Sequence, residues 1–326
     1  MKIGYHISHE QFSPRELLEL ACLAERSGFQ ACLSSDHFQP WMNSQGNSGY
    51  AWSWLGAALA ATEIPFGIVT APGQRYHPAI VAQAGATLAE MFPGRFWMAV
   101  GSGQMLNESI TGDKWPDKEQ RNLRLRECAD IMRRLWTGET VTHRGLVNVE
   151  SARLYSLPDR PPMIIGAALT PATAHWLGSW ADGLITVSKP KEQLRQVIEA
   201  FHDGGGEGKP TFLKVQLSYA RSRQDAVSGA FDQWRANIFE SPVQTRLAGP
   251  DEFDAAAAFI TPDDLSPHVR ISPDLHEHID WIASDGEMGF EQIYLHNVNR
   301  LQRQFIEDFG EKVLPAVAKS YSGSSV

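Results

Sequence analysis

Short apolar runs alternate with longer amphipathic ones along almost the whole chain, and this rhythm limits the fold more than any single motif. Phe96-Trp97-Met98-Ala99-Val100-Gly101 contains no polar residue. A parallel strand buried on both faces reads this way. Comparable runs fall at Ile3–Ser8, about 31–36, Phe66–Pro72, Met163–Ala167, Gly183–Val187, Phe212–Tyr219 and Gln292–Asn297. Helix patterns lie between them. Ser13-Pro14 supplies an N-cap and a proline at the first helical position, and Leu17, Leu18, Ala21, Cys22 and Ala24 give that helix an apolar face. Later helices are expected to open at His77-Pro78 and to cover about 117–137, 171–180, 191–202, 223–237, 274–289 and 300–317. Eight strands alternating with helices predict an α/β fold, a (β/α)8 TIM barrel. An open doubly wound sheet is the alternative, and no GxGxxG opens the first helix to support it.

Two stretches break the rhythm. Residues 140–156 suggest a β-hairpin insertion. Residues 240–272 hold Pro242, Pro250, Pro262 and Pro267 with weak periodicity, and suggest a longer insertion with short helices of its own. Gly204-Gly205-Gly206 reads as a flexible turn. The whole is expected as one domain over 1–320, with 321–326 a flexible tail.

A net charge of -9 argues against nucleic acid or an anionic membrane as the main partner. No apolar run approaches the roughly 18 residues that span a bilayer. Met1–Tyr5 leads straight into a strand-like run with no visible signal peptide. Cys22, Cys32 and Cys128 are odd in number, far apart and in no metal-ligand spacing. A reduced, cytoplasmic protein without a metal is expected.

In a barrel of this kind the site gathers at the C-terminal ends of the strands. The polar residues that follow the strands are Asp36, His37, Thr70, Ser102, Gln104, Asn107, the turn Gly166–Thr170, Ser188, Lys189 and His296. His37 can transfer a proton or polarise a substrate oxygen near neutral pH, or it can simply shape its loop. Asp36 either orients His37 or touches a cofactor, although neighbouring residues on a strand face opposite ways. Trp41 either walls a flat ligand or packs under the loop. Thr170-Pro171 looks like an N-cap with proline at N1, so the turn before it either cradles a phosphate or is a plain turn. Lys189 is either a second anion contact or a solvated lysine. Arg75 pairs with a phosphate or, more commonly, with a carboxylate of a neighbouring loop.

Several segments together resemble the bacterial luciferase-like oxidoreductases: Ser35-Asp36-His37-Phe38-Gln39-Pro40-Trp41, Arg75-Tyr76-His77-Pro78-Ala79, Phe92-Pro93-Gly94-Arg95 and Gly101-Ser102-Gly103-Gln104-Met105-Leu106-Asn107-Glu108. The branch most similar contains the deazaflavin (coenzyme F-420)-dependent glucose-6-phosphate dehydrogenases. The likeness is strong over about the first 135 residues, moderate at 160–200, and fades after 220. It implies a barrel binding FMN or its deazaflavin relative at the C-terminal face, and a homodimer. By position it implies ring and substrate contacts at Asp36, His37 and Trp41, and a cis peptide at Ile68-Val69 behind the ring. Further cofactor contacts are implied at Ser102, Gly103 and Asn107, a cofactor phosphate site at Gly166, Ala167, Ala168, Leu169 and Thr170, and a substrate-phosphate lysine at Lys189.

Two departures stand out. Gln104 replaces the glutamate that serves the dehydrogenases as proton donor, and an amide gives up no proton at neutral pH. The basic residues that help hold the sugar phosphate have no clear counterpart in 240–272. Ala71-Pro72-Gly73-Gln74-Arg75-Tyr76 and Tyr50-Ala51-Trp52-Ser53-Trp54-Leu55-Gly56 further resemble a smaller subfamily that uses ordinary flavin. The expectation is therefore an FMN-dependent oxidoreductase acting on a small organic substrate by hydride transfer or monooxygenation. His37 would be its proton-transfer group and Gln104 a neutral hydrogen-bond donor. The alternatives are a deazaflavin-dependent dehydrogenase and a flavin-binding protein without turnover.

Overall fold

A computed structural model describes residues 1–322. Eight parallel strands close into a barrel: β1 (Lys2–Ile7), β2 (Ala31–Ser35), β3 (Phe66–Thr70), β4 (Phe96–Val100), β7 (Ile164–Ala167), β8 (Gly183–Val187), β9 (Thr211–Ser218) and β11 (Gln292–Asn297). They pair in that order, β11 returns to β1, and helices cover the outside. Between β4 and β7, β5 (Val141–Arg144) and β6 (Asn148–Ala152) form an antiparallel hairpin. The segment after β9 carries short helices and a two-residue strand, β10 (Arg270–Ile271), on the edge of β9. That strand is too short to leave a period in the sequence.

The unbroken apolar runs have a geometric cause. Alternate residues of a strand face opposite sides of the sheet, and here both sides are buried. Phe96, Met98 and Val100 pack outward against helices, while Trp97 and Ala99 point into the barrel. Inside, Trp97, Phe212 and Tyr294 stack with Ala31, Leu33, Ile165 and Ile185 into a plug, with ring centroids 4.9 Å apart for Trp97–Phe212 and 6.0 Å for Trp97–Tyr294.

Three expectations are corrected. Gly204–Gly206 is not a free turn: it ends a kinked segment, His202–Gly206, in which Gly205 is left-handed at φ 100°, packed so tightly that a Cβ on Gly204 would lie 1.9 Å from the His175 carbonyl oxygen. The last helix runs past its expected end, from Gln302–Asp308 through a π turn at Phe309–Val313 into Leu314–Ser322. Tyr321 and Ser322 therefore end a helix, and the rest of the expected tail lies outside the described residues. Finally, no peptide bond among the described residues is cis. Ile68 and Val69 continue the ladder, opposite Ser34 and Ser35 on one side and Met98 and Ala99 on the other, and this holds them extended.

The plug depends on Gly67, where an added Cβ would meet the Trp97 ring at 2.1 Å. Gly67→Ala is expected to destabilise the fold by about 1–3 kcal/mol through overpacking, read as a lower urea midpoint with an unchanged slope.

Candidate active site

The inward-facing residues differ between the two sides of the barrel mouth. On β3, β4, β7 and β8 the last inward positions are Val69, Ala99, Ala167 and Val187, and Gly101 follows β4. Val69 and Ala167 lie over the plug, partly exposed. Small apolar groups there leave a shelf that fits a flat ring. On β1, β9 and β11 the corresponding positions are His6, Lys214, Gln216 and His296.

His37 leaves β2 toward this mouth. Its Nδ1 lies 2.6 Å from Glu10 Oε1, in the loop after β1. The other Glu10 oxygen accepts from Ser8 Oγ at 2.7 Å and from Ser35 Oγ at 3.0 Å. Burial pushes the Glu10 carboxyl up, but His37, with the Ser8 hydroxyl and a backbone amide, outweighs it and holds it well below the usual range. Asp36 is not the partner of His37. Its carboxylate accepts from Thr70 Oγ1 at 2.7 Å and Tyr76 Oη at 2.9 Å, with Arg75 at 3.3 Å. Arg75 also lies 3.6 Å from Glu108, and its amide donates to that carboxylate at 2.9 Å. Arg75 thus joins two buried acids from neighbouring loops, the commoner of its two expected roles. Burial raises the Glu108 carboxyl, and Arg75 opposes the rise.

Trp41 meets the His37 ring edge-on at 5.3 Å and Phe253 of the long insertion at 5.2 Å. With Met42, Leu106, Ala236 and Ala257 they form a small core that fixes the insertion beside the mouth. Asn107 Oδ1 accepts from the amides of Phe38 and Gln39 at 2.8 and 3.3 Å, so it ties the β4 loop to the β2 loop. The Gln104 side chain is partly exposed and makes no hydrogen bond among the described residues. It is therefore open to a ligand.

The residues present fit a phosphorylated flavin or deazaflavin. Beside the shelf, Thr170 caps the helix Pro171–Gly178, its Oγ1 accepting from the Thr173 amide at 3.3 Å. Ala167 ends β7, after Gly166, and the Ala168 amide bonds to the Ile185 carbonyl, while the amides of Leu169 and Thr170 find no acceptor among the described residues. Next to Gly103, Ser102 Oγ accepts from Lys118 Nζ at 2.8 Å, and burial lowers that lysine to about 8. Lys189 Nζ donates to the Leu169 carbonyl, so it braces this turn.

Comparisons with known proteins show the family. Residues 1–291 match the family model described as luciferase-like monooxygenase. The chain belongs to this family. It is 34% identical to the F420-dependent glucose-6-phosphate dehydrogenase of Microbacterium testaceum, over 99% of each chain. It is 35% identical to that of Beutenbergia cavernae, over 97% of each. The likeness therefore runs well past residue 220, where the motifs fade. The structure of an F420-dependent secondary alcohol dehydrogenase in complex with an F420-acetone adduct superposes with a TM-score of 0.90 at 32% identity, over 97% of this chain and 98% of that one. The monooxygenase RslO1 of Streptomyces bottropensis, at 20% identity and a TM-score of 0.73 over 97% and 99%, shares the fold. The protein is an oxidoreductase of the luciferase-like class.

Glu10 is the main residue that the motifs did not reveal. It lies in Ser8-His9-Glu10-Gln11, the polar stretch after the first strand, and the strand-end rule could have found it. Lys118 gave no signal, because it looks like an ordinary first-turn helix lysine.

Two outcomes follow from the buried charges. Arg75→Met strands Asp36 and Glu108, and is expected to cost about 3–5 kcal/mol in unfolding free energy. Glu10, with its carboxyl lowered on folding, contributes stability that is present above its free value of 4.5 and lost as pH falls below it. Acid titration of the unfolding midpoint should show a steeper loss for the wild type than for Glu10→Gln.

Proposed function

We propose that the protein is a deazaflavin-dependent dehydrogenase acting on a small alcohol or carbonyl compound, with His37 carrying the hydroxyl proton. The observation that supports this reading is the Glu10–His37 pair at the edge of the apolar shelf, 2.6 Å apart. When bound, the cofactor supplies two-electron hydride chemistry. The chain supplies the rest. Glu10 holds the Nδ1 side of His37 and so orients the ring. Nε2, which has no hydrogen-bond partner among the described residues, is left to the substrate oxygen. In alcohol oxidation the hydroxyl proton moves to Nε2 as the hydride leaves carbon and the carbonyl forms. Reduction reverses both transfers. Trp41 fixes the plane of the imidazole, and the insertion around Phe253 limits water beside it.

The free Gln104 amide is well placed by its loop to donate to the cofactor or substrate, and it leaves proton transfer to His37. The relatives named above support the deazaflavin over the FMN expected from the sequence, since those alike over nearly the whole chain at 32–35% identity are F420-dependent enzymes. The FMN reading draws support only from distant structures such as that of the FMN-bound oxygenating constituent of 3,6-diketocamphane monooxygenase from Pseudomonas putida, at 17% identity.

Titrating the protein with the deazaflavin and with FMN separates the two cofactors: tenfold or tighter binding of the deazaflavin is expected, and the reverse order would overturn the assignment. His37→Ala is expected to keep the deazaflavin bound and lower turnover about 100- to 10,000-fold, the range for losing a general acid–base group. Unchanged turnover would remove His37 from the proton path.

A further inference from the structure

Lys214 stands apart from the other cations of the mouth. It sits at an inward position of β9, two residues above Phe212 and in register with Tyr294, so its chain rises from the apolar plug. Its Nζ lies 5.5 Å from the centre of the Trp234 ring. Trp234 meets His296 edge-on at 4.9 Å, and His296 lies 4.3 Å from His6. Among the described residues Lys214 makes no hydrogen bond or ion pair. Glu10 is near enough to favour its charge, but Glu10 is already engaged by His37, Ser8 and Ser35. Burial lowers the ammonium only to about 8, so it remains mainly charged near neutral pH. Burial also holds His6 and His296 well below their usual value, so both are neutral beside it.

A charged group held in a mouth without a counter-ion calls for an anion from outside. We propose that Lys214 holds the carboxylate of the substrate, which makes the substrate a small hydroxy or oxo acid; this rests on the dehydrogenase reading above. One charge points to a carboxylate rather than a phosphate dianion, because the neighbouring histidines are neutral and Lys189 is bonded to Leu169. Glu10 is close enough to act on Lys214 electrostatically and also pairs with His37 at 2.6 Å, so the proposed carboxylate site lies on the same side of the mouth as that pair.

The test needs no turnover. The cofactor-free protein, with Lys214→Met and Lys214→Arg, is titrated calorimetrically with glyoxylate, pyruvate, 2-oxobutyrate, acetone and inorganic phosphate. Methionine keeps the length of the side chain against Phe212 and Tyr294, and arginine keeps the charge. At least one oxo acid is expected to bind the wild type, to weaken about tenfold or more in Lys214→Met, as for loss of a charged hydrogen bond, and to recover in Lys214→Arg. Acetone should bind all three alike. The proposal is overturned if no oxo acid binds the wild type, or if oxo acid and acetone weaken together. It is equally overturned if phosphate binds more tightly than the oxo acids and depends on Lys214. If the deazaflavin is reduced by no alcohol while oxo-acid binding still depends on Lys214, the dehydrogenase reading falls and the anion site stands.

Discussion

A closed sheet has a single inside, and each strand must give it every second residue. That constraint governs most of what this chain does. At one end the shared interior is filled by Trp97, Phe212 and Tyr294, which leaves no room for a Cβ at Gly67. One step higher the same alternation delivers Val69, Ala99 and Ala167 to one side and His6, Lys214 and His296 to the other. The apolar shelf and the polar wall are thus successive layers of one packing pattern. No separate scaffold is needed to bring a flat ring against titratable groups.

Above that interior, loops take over, and charge does the positioning. Arg75 joins Asp36 to Glu108, while Asn107 fastens the backbone at Phe38 and Gln39. These contacts fix the β2 loop against the β4 loop and leave His37 free to pair with Glu10. Asp36 and His37 are neighbours in sequence, yet they serve different networks, because the chain turns one side chain down into the loop and the other across the mouth.

The barrel was legible because its strands are buried on both faces and so read as uninterrupted apolar runs. Gln292–Asn297 and Gly183–Val187 coincide with the structure to the residue, and most others fall within one or two. What stayed hidden depends on distant contacts. The kinked turn at His202–Gly206 is set by the backbone of His175, and three consecutive glycines say only that such an approach is allowed. Glu10 looks like any loop acid until closure of the barrel sets it beside β2. Lys214 looks like an interruption in an apolar run, and its meaning appears only once the inward register of β9 is known.

Trp41 has a place in two assemblies. Its indole stands nearly perpendicular to the His37 ring, and it shares a small core with Phe253 and Ala257 of the irregular segment after β9. That segment is the part of the chain with the weakest periodicity, and so the part most free to change shape between related proteins. Because it rests on the tryptophan that sets the tilt of the imidazole, such drift has a mechanical limit. Loops farther along the segment can be remodelled, but the seat under Trp41 cannot move without turning the His37 ring with it.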